Sequence, residues 1–291
     1  MVLDDIVKRI VSSLDYGYVS SKIEDFLLEN LEGSGKAGYV LGLSGGLDSS
    51  VVAVLAARAI YGRGKGNGNG NGNLTALIIP HSGITPSSDV NDAIRLAESL
   101  KITYRVIDIG DIHSSLVERL HTIGGGESYN SSSGVDKIRL KIAAGNLLAR
   151  LRMCILYHYA NANDYLVLGT SDRSELMIGY YTKYGDGAAD ILPIADLYKV
   201  QVRALAGYLQ IDDAIVRKRS GPMLWKEHYA EQELGMRYEE IDSILYCLLD
   251  LKSSIKDTTS MLRIEEEKVR RVLRLIRSNR HKRAPPRICD I

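Results

Sequence analysis

The sequence predicts an α/β fold, a doubly wound parallel sheet of about five strands with helices on both faces. Three observations lead to this expectation. Short apolar runs alternate with helical patterns over residues 38–210, as is typical of a parallel sheet. A glycine turn at 44–46 joins the first run to its helix. Gly169 and Thr170 end the run at 165–170, at the end of a strand where parallel sheets bind ligands.

The chain begins with two predicted helices. Apolar residues recur at helical spacing over 3–14 and again over 23–31, and Gly33 and Gly35 end the second pattern. The run from Tyr39 to Leu43 then predicts a buried strand.

The remaining elements follow from the same patterns. Later apolar runs predict strands at 74–80, 103–109 and 165–170. Helical spacing predicts helices at 49–60, 88–100, 112–120, 137–160, 198–209, 238–250 and 257–278.

Three segments are expected to be loops. The stretch GRGKGNGNGNGN at 62–73 is of low complexity and predicts a mobile surface loop. Residues 122–136 are rich in Gly and Ser and predict a flexible loop. After Thr170 the periodicity is lost over 177–197, and a long loop in a compact domain is often functional.

Composition excludes several classes of protein. The chain has 291 residues, 45% of them hydrophobic and 25% charged, as in an ordinary globular protein. Its net charge of +1 gives no electrostatic indication of nucleic-acid binding. There is no apolar run of membrane-spanning length, and the charged N-terminus MVLDDIVKRI is not a signal peptide.

The three cysteines favour a cytoplasmic location. Cys154, Cys247 and Cys289 are far apart in sequence and form neither a disulfide framework nor a zinc motif. Cys154 and Cys247 are expected to pack on apolar helical faces, whereas Cys289 is the third residue from the end of the sequence.

The turn Ser44-Gly45-Gly46-Leu47-Asp48-Ser49 indicates an anion site. A glycine turn from strand to helix exposes backbone N–H groups at a helix N-terminus, where phosphates bind. The alternative is an ordinary turn with Asp48 or Ser49 as the N-cap. No lysine follows the glycines, so this is not the common phosphate loop. Asp48 instead points to Mg²⁺, which binds through a few carboxylates and substrate phosphates.

The same six residues resemble the SGGxDS loop of the ATP pyrophosphatase superfamily, whose members cleave ATP between the α- and β-phosphates. The match is complete from Ser44 to Ser49. The resemblance implies the Rossmann-like fold of that superfamily and a loop that holds the pyrophosphate part of ATP.

A second resemblance narrows the choice. The segment GTSDRSELMIGYYTKYGDGAADILPIADLYKVQVR (169–203) is similar to the core signature of NAD synthetases, as are the segments at 145–153, 233–242 and 281–283. GMP synthetases and tRNA-thiolating enzymes share the loop but not this set. Such an enzyme, or a silent adenine-nucleotide sensor, remains the alternative.

The resemblance to NAD synthetases implies a reaction. Deamido-NAD would be amidated by ammonia through an adenylated carboxylate, with ATP and Mg²⁺ required and AMP and pyrophosphate released. Such a site works mainly by placing reactants and stabilising charge on phosphorus.

The resemblance also assigns residues. Those expected to be catalytic are Asp48, Glu175 and Lys199, of which Asp48 and Glu175 match the Mg²⁺ ligands. The ATP contacts match Gly42, Leu43, Ser44, Gly45, Gly46, Leu47, Asp48, Ser49, Thr170 and Lys199. The deamido-NAD contacts and further candidates are Asn146, Arg150, Lys183, Asp186, Asp190, His281 and Lys282.

One loop departs from the family pattern. Relatives often carry P-S-A-G-L-W followed by G-Q-T-D-E, whereas this chain has SGPMLW at 220–225 and EHYAE at 227–231. The expected ATP-binding hydroxyl is either Ser220, one position away, or absent at Gly221.

The resemblance further implies how the chain is organised. A single synthetase domain is expected over 1–291, with N-terminal helices at 1–37, a nucleotide-binding core at 38–210 and C-terminal helices and a tail at 211–291. No glutaminase domain is recognised, so ammonia is the expected nitrogen donor. Family members of this type are homodimers, and the helix at 137–160 is expected to contribute to the interface.

Overall fold

The computed structural model describes residues 2–62, 72–123 and 134–289 and confirms the α/β class. Its strands are β1 (Gly38–Gly42), β2 (Asn73–Ile78), β3 (Thr103–Val106) and β4 (Tyr165–Leu168). They form one parallel sheet in the order β3-β2-β1-β4. Four strands are therefore present in the described part of the chain, against about five expected. Beyond β4, an isolated parallel bridge joins Leu168 to Ile191.

Helices flank the sheet on both faces. Those of the first half are α1 (Leu3–Ser12), α2 (Tyr16–Ser34), α3 (Leu47–Tyr61), α4 (Ser87–Ser99), α5 (Gly110–Ile123) and α6 (Gly134–Asn163). Those of the second half are α7 (Arg173–Ile178), α8 (Lys199–Tyr208), α9 (Asp213–Val216), α10 (Ala230–Leu234), α11 (Tyr238–Leu245), α12 (Ile255–Leu262) and α13 (Glu266–Ser278). A π-helical turn (Tyr246–Asp250) follows α11, and a 3₁₀ turn (Arg280–Lys282) follows α13.

The central strand β1 is buried on both sides because successive side chains face opposite layers. Tyr39 and Leu41 belong to the apolar layer formed with α2 and α3, and the Tyr39 hydroxyl donates to the Leu27 carbonyl at 2.7 Å. Val40 belongs to the opposite layer together with Leu148 of α6. A third cluster packs α1 against α11, α12 and α13.

The topology creates a crevice beside β1. From β1 the chain proceeds outward to β2 and β3 and then returns to β4 on the other side of β1. The strand order therefore reverses between β1 and β4, and ligands of doubly wound sheets bind at the carboxyl ends of strands at such a point. The turn at 43–46 and the segment 169–172 both leave the sheet there.

Several predicted helices differ from the structure. The single helix expected at 257–278 is two helices, because Arg263 adopts a left-handed conformation (φ 53°) between α12 and α13. The helix expected at 238–250 changes from α to π geometry at Tyr246. Helix α7 lies next to the aperiodic segment and was not predicted, and neither were the short helices α9 and α10.

Predicted loops and strand ends also differ. Asn73, assigned to the glycine–asparagine loop, begins β2 and pairs with Gly38; residues 63–71 of that loop lie outside the described residues. Of the loop expected at 122–136, residues 124–133 lie outside them too, and α5 and α6 extend into its two ends. Each of the last three strands ends earlier than predicted, at Ile78, Val106 and Leu168.

The cysteine predictions have mixed outcomes. Cys247 is buried, as expected, but Cys154 is exposed on α6, and its predicted packing was wrong. It lies six residues from the buried Leu148, which places it on a different face of the helix. In the described part of the chain, no helix is long and apolar enough to span a membrane.

Candidate active site

The turn between β1 and α3 requires glycine and leaves a helix N-terminus without a side-chain cap. Gly45 has φ +76°, and a Cβ there would lie 2.1 Å from the Asp89 carbonyl oxygen. Gly46 is the N-cap residue of α3, and no side chain of the described residues caps this end. The alternative N-caps, Asp48 and Ser49, are therefore wrong. Backbone N–H groups at such an end are suited to bind an anion.

Hydroxyl groups brace the same turn. The Oγ atoms of Ser44 and Ser49 lie 2.9 Å apart, and the Ser44 amide donates to Ser49 Oγ at 3.2 Å. Leu43 is buried, and its amide donates to the carbonyl of Leu77 in β2. Gly42 ends β1 and Leu47 begins α3, so residues 42–49 comprise the turn at 43–46 and the adjoining ends of the strand and the helix.

Lys218, which was not predicted to be a site residue, contacts this turn from the segment after α9. Its Nζ donates to the Gly45 carbonyl at 2.8 Å and lies 2.9 Å from Asp89 and 2.5 Å from Asp92 of α4. The turn is thus held to α4 through one lysine side chain.

Helix α7 carries Glu175 in its first turn. Asp172 is the N-cap: its Oδ1 accepts from the Glu175 amide at 2.8 Å, and Glu175 Oε2 accepts in return from the Asp172 amide at 3.5 Å. This capping box fixes both carboxylates relative to the helix.

Lys199, the first residue of α8, joins the two halves of the site. Its side chain is fully buried, and its Nζ lies 2.8 Å from Asp48 Oδ2, 2.9 Å from Asp172 Oδ2 and 2.9 Å from Glu175 Oε1. The Nζ also lies 5.0 Å from the centre of the Tyr238 ring. One ammonium thus holds three carboxylates from the ends of two neighbouring strands.

The start of α8 is fixed by a buried polar network. The Lys199 amide donates to Ser174 Oγ at 2.9 Å, and Ser174 donates to Asp242 of α11. The Val200 amide donates to the other oxygen of Asp242 at 2.9 Å. Burial raises the pKa of Asp242 to about 7.

Burial and charge oppose each other in the cluster around Lys199. Burial raises the pKa of Asp172 and of Glu175, and the nearby Lys199 ammonium opposes that rise. Burial alone would lower the pKa of Lys199, but its three carboxylate partners raise it well above the ordinary value. The three carboxylates thus favour the charged form of Lys199.

The cluster offers carboxylate oxygens that could bind a magnesium ion whose other ligands are phosphate oxygens. In the described residues, no group of three or more His, Cys, Asp or Glu side chains is arranged to hold a metal by itself. However, Asp48 Oδ1 is buried without a hydrogen-bond partner there, and an unpaired buried carboxylate oxygen suits a cation. Mg²⁺ is usually held by one or two carboxylates plus phosphate oxygens, so Asp48 and Glu175 fit it.

The second set of expected residues meets at the segment after α7. The Thr182 hydroxyl donates to Asn146 Oδ1 at 2.7 Å, and the Thr182 amide donates to Asp186 at 2.8 Å. Arg150 Nε and Nη2 both donate to the Lys183 carbonyl at 3.3 Å. Helix α6 is thereby joined to this segment by two side chains.

Asp190 and Thr170 occupy the edge of β4. Asp190 Oδ2 accepts from the Val167 amide at 2.7 Å, and Oδ1 accepts from the Tyr157 hydroxyl at 3.2 Å. Asp190 thus ties the segment to the strand. Thr170 lies half-buried two residues after β4.

The C-terminal tail closes over α7. Lys183 Nζ donates to the His281 carbonyl at 2.8 Å, and Lys282 Nζ donates to the carbonyls of Gly179 at 2.6 Å and Tyr181 at 2.8 Å. Burial lowers the pKa of Lys282.

Arg283, not singled out as a site residue, donates to the carbonyls of Leu176 and Met177. The tail therefore satisfies carbonyl groups at the end of the helix that carries Glu175.

Among the described residues, no contact joins Ser220 or Gly221 to the turn between β1 and α3. Ser220 lines a cavity of about 300 Å³ together with Tyr229 and Glu240, outside residues 42–49. A Cβ at Gly221 would lie 2.2 Å from the His228 carbonyl oxygen, so a hydroxyl residue does not fit there without a shift of the loop.

Sequence comparison shows which protein family the chain resembles. The profile of the family described as NAD synthase matches residues 19–286. The chain is 45% identical over 273 residues to an NH(3)-dependent NAD(+) synthetase of Hyperthermus butylicus, covering 94% of this chain and 90% of the relative.

The chain is also similar to solved structures. An NMN synthetase from Francisella tularensis superposes with a TM-score of 0.75 at 30% identity, covering 96% of this chain and 100% of that one. An NH3-dependent NAD synthetase from Campylobacter jejuni gives a TM-score of 0.72 at 29% identity, with 95% and 100% covered.

Proposed function

The chain belongs to the NAD synthase family, and on that premise we propose that it converts deamido-NAD to NAD, using ammonia as the nitrogen donor and cleaving ATP to AMP and pyrophosphate. It is a ligase of the ammonia-dependent type. The observation that carries the proposal is the contact of Lys199 with Asp48 and Glu175, because it brings the turn after β1 and the helix after β4 into one site.

The first step activates an unreactive carboxylate. An oxygen of the nicotinate carboxylate attacks the α-phosphorus of ATP, the bond to the β-phosphate oxygen breaks, and pyrophosphate leaves. Residues 42–49 hold the departing phosphates, since the N-terminus of α3 lacks a side-chain cap. The buried Lys199 ammonium lies beside this turn and offsets negative charge that builds up on the phosphates.

Magnesium is the metal that this site fits, with Asp48 and Glu175 as the protein ligands. When bound, it would act as a Lewis acid toward the phosphate oxygens. Glu175 is held for this role by its capping box with Asp172.

The second step forms the amide. Ammonia attacks the carbonyl carbon of the adenylate, AMP leaves with the bridging oxygen, and the nitrogen loses a proton. We assign substrate binding to the residues around Thr182, namely Asn146, Arg150, Lys183 and Asp186. His281 and Lys282 of the tail belong to the same binding set. Asp190 supports the segment that carries these residues. Thr170 is assigned to ATP, whereas Ser220 and Gly221 are not assigned a contact.

A second candidate substrate is the mononucleotide that lacks the adenylate half of deamido-NAD. It is favoured by the similarity to the protein named NMN synthetase. The chemistry at the carboxylate would be the same, so the two candidates differ only in the contacts made to the rest of the substrate.

The arrangement of the protein in the cell is also part of the proposal. A single synthetase domain over 1–291 is supported by a family match that runs from residue 19 to 286. A homodimer is supported by exposed apolar side chains on α5 and α6, of which Ile112 is 59% exposed, Val135 59% and Ile138 61%. A cytoplasmic location suits an enzyme of nucleotide biosynthesis.

One assay tests the function. Purified protein is incubated with ATP, Mg²⁺, ammonium and either deamido-NAD or nicotinate mononucleotide, and all products are quantified. We expect NAD, AMP and pyrophosphate in equal amounts, with deamido-NAD the better substrate. Formation of ADP, or no turnover with either substrate, would contradict the proposal.

A further inference from the structure

Asp172 is the carboxylate in the Lys199 cluster to which neither the family resemblance nor the proposed function gives a role beyond capping α7. It is fully buried, whereas the side chains of Asp48 and Glu175 are 20% and 19% exposed. Its Oδ1 caps α7, which fixes the side chain. Its Oδ2 lies 2.9 Å from Lys199 Nζ and has no directional hydrogen-bond partner among the described residues.

The Lys199 ammonium and the divalent ion of the proposed function would both interact with the other two carboxylates, those of Asp48 and Glu175. Lys199 Nζ contacts Asp48 Oδ2 and Glu175 Oε1, the residues that the proposed function assigns to magnesium. A divalent ion bound by these two carboxylates would weaken the attraction of both for the fully buried ammonium. A buried charge without partners is strongly unfavourable. Asp172 would then be the one partner of Lys199 whose charge is not shared with the metal ion.

We propose that Asp172 is a positioning residue that holds the Lys199 ammonium aside and so lets Asp48 and Glu175 bind a divalent cation. The proposal rests on the proposed function, since it takes the metal ligands from it. Asp172 itself contacts neither metal nor substrate; it acts through Lys199. When all three carboxylates are ionised, they outnumber the Lys199 ammonium by two, which attracts Mg²⁺; without Asp172 the excess would be one.

The test variant is Asp172→Asn, because asparagine retains the capping oxygen and the size of the side chain while removing the charge. Asp172→Ser is a second variant that also caps helices. The matched control is Asp212→Asn, since Asp212 is likewise an N-cap aspartate, accepting from the Ala214 amide at 2.8 Å, but is itself exposed.

Two readouts are combined. Binding of Mn²⁺ to the protein alone is followed by electron paramagnetic resonance, and the free Mg²⁺ concentration giving half-maximal turnover is measured at saturating substrates. We expect both constants to rise about tenfold or more in Asp172→Asn and Asp172→Ser, because residues that orient metal ligands commonly change affinity by about 10–100-fold. Asp212→Asn should stay within about twofold of the wild type.

The outcomes separate a positioning role from a structural one. If the variants lose thermal stability or turnover while both metal constants stay unchanged, Asp172 is only a helix cap and the proposal is wrong. Failure of both variants to fold would also contradict it. A wild-type protein that makes no NAD would instead refute the proposed function, and it would do so independently of the Mn²⁺ titration.

Discussion

The ammonium of Lys199 lies 2.8 Å from Asp48 Oδ2, although 151 positions separate the two residues in the chain. The contact joins the N-terminus of α8 to the first turn of α3, and thereby the carboxyl ends of β1 and β4. Because Lys199 is fully buried and paired, the two ends cannot move apart without exposing an unpaired charge. The relative position of the two ends is therefore expected to be rigid.

The carboxylates assigned to the metal should be essential for turnover but not for folding. We expect Asp48→Asn and Glu175→Gln each to lower kcat by about 10²–10³, as is common when electrostatic stabilisation of a reacting phosphate is lost. Steady-state kinetics at saturating Mg²⁺ measures this, with the exposed Glu29→Gln as control. Near-normal turnover in the double variant would refute the metal assignment.

The tail should stabilise the end of α7 through Arg283. Its Nη1 donates to the Leu176 and Met177 carbonyls and its Nη2 to the Ile276 carbonyl at 2.8 Å. We expect Arg283→Gln to lower the free energy of unfolding by about 1–3 kcal/mol, since bonds to a charged donor are lost. Thermal unfolding should show a lower Tm for this variant than for the exposed Arg280→Gln, and equal Tm values would contradict the prediction.

His81 should make stability depend on pH. It is buried edge-on to His113, with ring centres 5.2 Å apart. Burial lowers the pKa of His81, and the neighbouring His113 and Arg152 lower it further, while Asp108 acts in the opposite direction. The unfolded chain then binds a proton near pH 6.5 that the folded state resists.

The free energy of unfolding should therefore fall as the pH drops from about 6.5. His81→Asn keeps an acceptor for the Gly83 amide, which bonds His81 Nδ1 at 3.1 Å, and should flatten this dependence. The control is the exposed His158→Asn. Unfolding in denaturant at several pH values measures both, and the same slope in both variants would show that His81 does not titrate as described.

Ammonium should support the reaction and glutamine alone should not. Hydrolysis of glutamine needs an activated nucleophile. Cys247 is buried, and burial raises the pKa of its thiol, which disfavours the reactive thiolate. Cys154 is exposed, so Cys154→Ser is the variant to compare. Sustained NAD formation from ammonium-free glutamine, lost on a Cys→Ser change, would contradict this expectation.

The parts of the site that depend on local chemistry were predictable from sequence. The turn at Gly45 is one, since its positive φ and its approach to Asp89 admit only glycine. The parallel sheet is another, because its strands are short apolar runs between helical patterns. The resemblance to NAD synthetases indicated Asp48, Glu175 and Lys199 together.

What sequence could not show depends on tertiary packing. Asp172 is an ordinary N-cap residue by pattern, and only the position of Lys199 makes it the third member of a buried charged cluster. Lys218 occurs in an unremarkable basic stretch, and its contact with Gly45 arises across 173 positions. Cys154 was assigned to a packed face because it lies at helical spacing from Leu147 and Leu151, yet Cys154 is exposed, and the buried residues of α6 include Leu148 and Ala149 instead.

Adenylation of the carboxylate is the central claim, and isotope transfer tests it most directly. Deamido-NAD labelled with ¹⁸O in the nicotinate carboxylate is converted with ammonium and ATP, and AMP and pyrophosphate are analysed by mass spectrometry. The account predicts one ¹⁸O atom in AMP for each NAD formed and none in pyrophosphate, because the attacking oxygen leaves with AMP. Label in pyrophosphate or in inorganic phosphate, with none in AMP, would contradict it.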